Sequence, residues 1–563
     1  MAQHERGGAA AVLDEEIKPY KIHVSSKYLD LTRRKLELTR LPHDIPEPRS
    51  NAWWEPKPTA EPLIDYWLEQ FSWRDQEQIF NANVPQFRTA IKTAASETPT
   101  RLHFMHYRSP HSNAIPLLLI PPFPFTNLAL THLADLFTNP HDAEAEQPFH
   151  LVVPALPGLG FSDPLTNKAG MVPAVAEMFD VLMKRLQYKH YLVTNSGPAA
   201  TGLAHIDWKI ANQISMHYPD SCLGVHLLSP PFSPPLFRNS PISWFKWQAA
   251  SLLQSPILGY SKQDMNALNR DKRQRQSRGA GAALTPLGFG CDGAYEPNTL
   301  AYALCDSPLA LLLFVLMVIR VANPKEDLSP ADVIKITELT WLPGAEGTMR
   351  LWAHCASNER SHEPRATRKP RAAITVFLGD DAKVGGDIGV SDDSAVPRPI
   401  ANAYSCPVWG SSQYDIVASS RVAGRPGLLA WERPDVIASG ARALAKAILA
   451  VDRRLQPSDD PRTTLLEQVL VEGSETAPAE TSGMTIQVSE GSARTGQQQA
   501  YETGLPRSDS STTPMPIRPA AANKADKAED ANRQSQKPQE RPGGNQESSE
   551  NSPNTVVEVQ VGA

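Results

Sequence analysis

Three short segments limit what this chain can fold into more than any other feature. They are AIPLLLIPPFPFTN (Ala114–Asn127), LVVPALPGLGFSDP (Leu151–Pro164) and HYLVTNSGPAATG (His190–Gly202). Each begins as an apolar run and ends in Pro, Gly or Ser. A short apolar run bounded by turn residues is the pattern of a strand buried on both faces. From Ile115 to about Pro231 such strands alternate with helical stretches, which predicts a parallel sheet with crossover helices. The third segment reads as a strand, a tight turn and then a helix. Its turn offers Asn195, Ser196, Gly197 and Pro198, and no carboxylate.

The flanking regions divide the rest. Residues 1–15 read as a flexible lead. A strand pattern (Tyr20, Ile22, Val24) runs into a charged helix over Ser26–Thr39, a Pro-rich crossing spans Leu41–Pro58, and Thr100–His106 alternates as a strand. Residues 16–112 are taken as an N-terminal domain and 113–231 as the first part of the core. Residues 232–345 are helical in pattern and lie between two sheet-like regions, so they read as an inserted cap. They hold the longest apolar run, Leu309–Ile319, which is shorter than the roughly 20 residues needed to span a bilayer. No transmembrane segment is expected, and a lipid-facing surface is the alternative to a buried helix. Residues 346–455 complete the core, with a strand at Ala372–Leu378 and a closing helix over Arg433–Leu455. The Ser-, Gln- and Pro-rich stretch 456–563 has one aromatic residue, Tyr501, and too little apolar surface to offset ordering entropy, so disorder is expected there.

Composition narrows the function. The net charge of −6 gives no electrostatic reason to expect a nucleic-acid partner. Five cysteines, with no two closely spaced, argue against a disulfide framework or a zinc site. The first twenty residues lack an apolar core of signal-peptide length. An intracellular, cytoplasmic protein without a cofactor is expected, with peripheral membrane contact possible. The oligomeric state stays open.

Several motifs in order carry a resemblance. KPYKIHVSSKYLDLTRRKLELTRLP, DYWLEQFSWRDQEQIFNANVPQF, the strand Arg101–His106 leading to RSP, then LPGLGFSDP, NTLAYALCDSP and WERPDVI together cover roughly residues 18–455. The chain resembles the microsomal-type epoxide hydrolases, and more closely a fungal branch of them. That implies an α/β-hydrolase fold with a helical cap and an N-terminal extension. It also implies opening of an epoxide on an apolar small molecule. In the family an Asp on the elbow after the third strand attacks an epoxide carbon, two cap Tyr hydroxyls hold the oxygen, and a His oriented by an acid activates water.

Laid onto this chain, the resemblance finds most of that machinery replaced. Gly197 stands at the nucleophile position, where a glycine would tolerate a strained backbone. Gly427 stands at the base position. Phe289 and Trp352 fall at the two Tyr positions, and Pro121-Pro122-Phe123-Pro124 replaces the oxyanion motif with loss of two backbone donors. Asp380 matches the orienting acid. Ser196 is the nearest alternative nucleophile, against a turn serine bonding local backbone; its flanks Thr194 and Pro198 stand where a serine elbow has glycines. The stretch from Gly197 to Tyr218-Pro219 is about two helical turns longer than the family's, and it contains His205-Ile206-Asp207-Trp208. Asp207, followed by Trp208 as the family's nucleophile is followed by Trp, is a candidate for a displaced catalytic Asp, against a helix N-cap or surface acid. Bulky Ile206 and Lys209 argue against its lying on an elbow. A pocket lined by Phe123, Pro124, Gly197, Phe289, Trp352 and Gly427 is expected, more apolar than the family's. Two functions follow: epoxide opening by a changed mechanism through Asp380 or Asp207, or a catalytically inactive small-molecule binder.

Overall fold

The computed structural model describes residues 16–43, 57–94, 98–165, 170–198, 205–238, 240–253, 255–278, 296–322, 324–357, 368–379 and 404–456. The expected lead, the Pro-rich crossing and the C-terminal stretch lie wholly or mostly outside these residues, as do Phe289 and Asp380.

Nine strands form one sheet. In chain order they are β1 (Lys18–Pro19), β2 (Gln86–Ile91), β3 (Thr100–Tyr107), β4 (Ile115–Ile120), β5 (Phe149–Pro154), β6 (Tyr191–Asn195), β7 (Cys222–Leu228), β8 (Arg371–Phe377) and β9 (Asp415–Val422). Their spatial order is β1-β2-β3-β5-β4-β6-β7-β8-β9. The last six are parallel neighbours, and the first three add antiparallel to β5, with Phe104 opposite Pro154. The N-terminal segment therefore extends the core sheet. The central strands are apolar and buried on both faces, as a sheet covered by helices requires.

The described helices before the core are α1 (Ser26–Glu37), α2 (Lys57–Glu69) and α3 (Trp73–Asn83). Crossovers α4 (Ala134–Thr138), α5 (Met171–Arg185) and α6 (Ile206–His217) follow. Between β7 and β8 lie α7 (Pro241–Leu253), α8 (Lys262–Arg278), α9 (Pro297–Asp306), α10 (Pro308–Ala322), α11 (Pro330–Trp341) and α12 (Glu346–Ser357). Then α13 (Leu429–Glu432) and α14 (Pro434–Leu449) close the core. α14 buries Ile437, Ala441, Leu444 and Ile448 on the stripe its spacing predicts. α10 holds the apolar run, with Leu311, Leu312 and Val315 buried. Among the described residues no single helix is long and apolar enough to cross a membrane.

Three expectations are corrected. The strand expected at Tyr20–Val24 is only Lys18–Pro19, because Ile22 N–H donates to Asn81 Oδ1 and Val24 N–H to Glu77 Oε2, each at 2.8 Å, instead of to a ladder. The helical stretch after β7 runs to Ser357, past position 345. The closing helix stops at Leu449, and a 3₁₀ turn at Arg453–Leu455 finishes it.

Two tryptophan bonds tie the N-terminal helices to α11. Trp67 Nε1 donates to Glu338 Oε1 at 2.7 Å, and Trp341 Nε1 donates to Thr32 Oγ1 at 2.7 Å. Glu338 is buried, and that burial pushes its carboxyl up to about 7. An acid whose folded value is raised holds its proton better folded than unfolded. Its contribution is therefore intact below the unfolded value and is lost as pH rises towards 7. Glu338→Gln is expected to flatten the fall in unfolding free energy between about pH 4.5 and 7. The gain at pH 8 should be on the order of 1–3 kcal/mol by denaturant titration, set against the unmutated chain.

Candidate functional site

β6 ends at Asn195, and the turn after it is anchored to the neighbouring strand. Ser196 N–H and Ser196 Oγ both donate to Ile120 O, at 3.1 and 2.7 Å. Ser196 thus bonds backbone, but that of the neighbouring strand β4 and not the local backbone expected of a turn serine. Asn195 is fully buried and joins three elements: its Oδ1 accepts from Leu228 N–H at 3.0 Å, and its Nδ2 donates to Gly197 O and to Asp207 Oδ2, the latter at 3.2 Å.

Asp207 is the acid at this turn. It sits in the first turn of α6, only 2% exposed. Gly197 N–H donates to its Oδ2 at 3.1 Å. The surface-acid and N-cap readings are both overturned, since the N-cap is His205, in the left-handed region at φ 52°. Bulk at Ile206 is no obstacle, because the carboxyl approaches from the following helix and not from the apex of the turn. Burial pushes the Asp207 carboxyl up to about 6, against the pull of Asn195, the Gly197 and Trp208 N–H groups and its own N–H.

Gly197 is at its position for space and not for strain. Its φ is not among the positive values of the chain. A Cβ placed there would lie 2.8 Å from Pro122 Cβ and 3.0 Å from Asp207 Oδ2. The Asp207 carboxyl occupies the volume into which a side chain at position 197 would project. Position 427 repeats the arrangement. Gly427 has φ +63°, and an added Cβ would come within 2.0 Å of Glu432 Oε2. That carboxyl accepts from Leu428 N–H at 2.7 Å and, through Oε1, from Lys325 N–H at 2.6 Å.

A cavity of about 50 Å³ opens over the turn, room for a few water molecules. Pro122, Phe123 and Phe125 from the loop after β4, and Ser196, Gly197, Pro198 and Asp207, form one side. Val318, Val321 and Ala322 of α10 and residues 427–431 form the other. Phe125 and Trp431 pack edge to face at 5.0 Å. Among the described lining residues Asp207 alone is ionisable. Of the residues expected in the pocket, Phe123, Gly197 and Gly427 line it. Pro124 is buried behind Phe123 and is not in the wall. Trp352 is also outside it: the ring is fully buried in α12, 6.2 Å from Phe314 of α10, so it fills the cap interior. Asn195 and Glu432 are the site residues that sequence reading missed. Asn195 carried a signal, a polar amide ending an otherwise apolar buried strand.

Gly197→Ala is expected to destabilise the fold by about 1–3 kcal/mol through overpacking against Pro122 and Asp207. Gly197→Asp, which restores the residue type that the resemblance puts there, should destabilise it further. Asp207→Gly combined with Gly197→Ala should recover part of the loss, measured by chemical denaturation.

Comparisons with known proteins agree with this architecture. Residues 17–130 match the family described as "Epoxide hydrolase N terminus". A protein of Stigmatella aurantiaca, provisionally named an epoxide hydrolase, is 28% identical over 356 residues, 61% of this chain and 70% of that protein. Juvenile hormone epoxide hydrolase 1 of Ctenocephalides felis is 26% identical over 310 residues, 54% of this chain and 60% of that one, so the match spans less than two thirds of its length. The crystal structure of juvenile hormone epoxide hydrolase from Bombyx mori superposes with a TM-score of 0.60 at 20% identity, covering 78% of this chain and 96% of that one, a likeness of fold. The sheet with a helical insert after β7, the matched N-terminal segment and these relatives give the chain an α/β-hydrolase fold that resembles the epoxide hydrolases.

Proposed function

We propose that the protein opens an epoxide on an apolar small molecule by a one-carboxyl route, with Asp207 as the acid. The observation that carries this is the placement of the Asp207 carboxyl, buried in an otherwise apolar cavity at the volume vacated by Gly197. Protonated Asp207 donates to the epoxide oxygen as the C–O bond breaks. Water adds to the carbon, and its surplus proton passes through solvent to the carboxylate, which restores the acid. The sum is epoxide plus water to diol. The raised value suits a group that must hold a proton near neutrality. A nucleophilic Asp207 would form an ester instead, and its hydrolysis would call for a base. No histidine is among the described lining residues. With Asp380 outside the described residues, the proposal assigns it no step.

A catalytically inactive binder is the second reading, favoured by the apolar lining supplied by α10 and residues 428–431. In both readings the ligand is apolar, and simple epoxides such as styrene oxide are not expected to turn over.

Diol formation from a panel of bulky apolar epoxides tests the proposal. Asp207→Asn is expected to lower kcat/KM by about 100-fold or more. An acid acting in its protonated form loses activity as pH rises through its value, so the rate should fall about tenfold per pH unit above 6. A rate that rises with pH to a plateau, or an ester on Asp207 seen by mass spectrometry, would assign nucleophilic chemistry instead. Ligand binding with no turnover in the unmutated chain would establish the binder.

A further inference from the structure

α7 carries apolar side chains on two sides, and among the described residues only one side is covered. On its inner face Ala250 is fully buried, and the Trp247 ring packs on Tyr260 at 5.6 Å and on Trp409 at 5.4 Å. Positions 242, 245, 252 and 253 fall on the opposite arc at helical spacing. They carry Ile242, Phe245, Leu252 and Leu253, exposed by 71, 60, 85 and 64%. The segments that flank the helix add Leu236, Phe237 and Leu258. Of the thirteen exposed large hydrophobic side chains among the described residues, seven therefore lie within residues 236–258. Scattered surface apolar residues need no explanation, but a concentration of this kind does. A helix apolar all round belongs in a protein interior or against lipid.

Charge decides what covers it. No acidic residue occurs between Asp220 and Asp264, in a chain with 61 Asp and Glu among its 563 residues. The exposed charges on this stretch are cations: Arg238 and Lys246 are both exposed beside the apolar arc. Phe237, Trp244 and Phe245 form an aromatic cluster, with ring centroids 4.9–6.0 Å apart. Apolar and aromatic side chains level with cations and without anions are the signature of a helix that lies in the plane of a bilayer surface. A second copy of this chain fits less well, because a two-fold contact through the arc would bring Lys246 towards its own symmetry mate without an acid between them.

We propose that α7 and the turns beside it dock this protein onto an anionic lipid surface, with Ile242, Phe245, Leu252 and Leu253 in the apolar layer and Arg238 and Lys246 at the headgroups. α7 follows the C-terminal end of β7, the same edge of the sheet from which the loop after β4 and the turn after β6 supply the cavity. An apolar ligand dissolved in lipid then meets the protein on the side that bears the pocket.

Co-sedimentation of the full-length chain with phosphatidylcholine vesicles, with and without phosphatidylserine, tests this. The unmutated chain is expected to pellet with the mixed vesicles, less with phosphatidylcholine alone, and less as salt is raised. Phe245→Glu with Leu252→Glu should lower partitioning by about 100-fold or more, and Lys246→Glu by roughly fivefold to tenfold at low salt. Both positions are exposed, so the unfolding midpoint of the double variant should match that of the unmutated chain. Should the variant misfold, brominated lipids give an independent reading: they should quench tryptophan fluorescence, and Trp244→Phe should remove part of that quenching. Absence of the unmutated chain from the pellet with both vesicles overturns the proposal, as does pelleting of a folded double variant to the same extent. A dimer that the double variant converts to monomer, without vesicle binding, would assign the surface to self-association.

Discussion

The contact between the Asp207 carboxyl, the Gly197 N–H and the Asn195 amide is the constraint on which the site depends. It brings the start of α6 back onto the end of β6, although seven residues separate Pro198 from Ile206. Gly is required at 197 because the carboxyl and Pro122 leave no room for a Cβ. Ser196 fixes the turn to β4 and Asn195 fixes it to β7, so the carboxyl is held by the sheet and not by a loose loop. Placement at the first turn of a helix also orients N–H dipoles towards it, and this limits how far burial alone can raise its proton affinity.

Gly197 and Gly427 show the same substitution made in space. At each, the resemblance calls for a functional side chain, and the chain supplies a glycine together with a carboxyl from a residue further on, Asp207 or Glu432. Position-by-position reading counts these as losses. At each glycine the volume that a side chain would enter is occupied by the carboxyl of another residue. The two acids differ in setting. Asp207 is enclosed in an apolar wall and shifted towards neutrality, whereas Glu432 accepts two backbone N–H bonds, from Leu428 and from Lys325.

What the sequence disclosed follows from what each residue does locally. β4, β5, β6 and β7 were legible because both of their faces are covered and so both are apolar. α14 was legible from its apolar spacing and α10 from its unbroken apolar run. β9 was not, because DIVASSRV is a half-exposed edge strand with Asp415 and Arg421 in it and no alternation to read. The strand pattern at Ile22 and Val24 was misleading: both side chains are buried, yet their backbone N–H groups bond to acid and amide side chains of α3. Asp207 was legible as a candidate, but its location was not. A helix that starts at Ile206 and folds back to 197 cannot be inferred from spacing. The tightness at Gly197 comes from Pro122, about 75 residues earlier in the chain.

The Glu432 carboxyl also joins two parts of the fold beside the cavity. Its Oε2 holds the first N–H of the core wall, at Leu428, and its Oε1 holds an N–H of the segment that joins α10 to α11, at Lys325. α10 provides one side of a cavity that holds only a few waters. Through these two bonds Glu432 ties residues 428–431, which line the cavity, to the segment that follows α10. The position that the resemblance gives to the base thus sits, in this chain, beside a clasp between two stretches far apart in sequence.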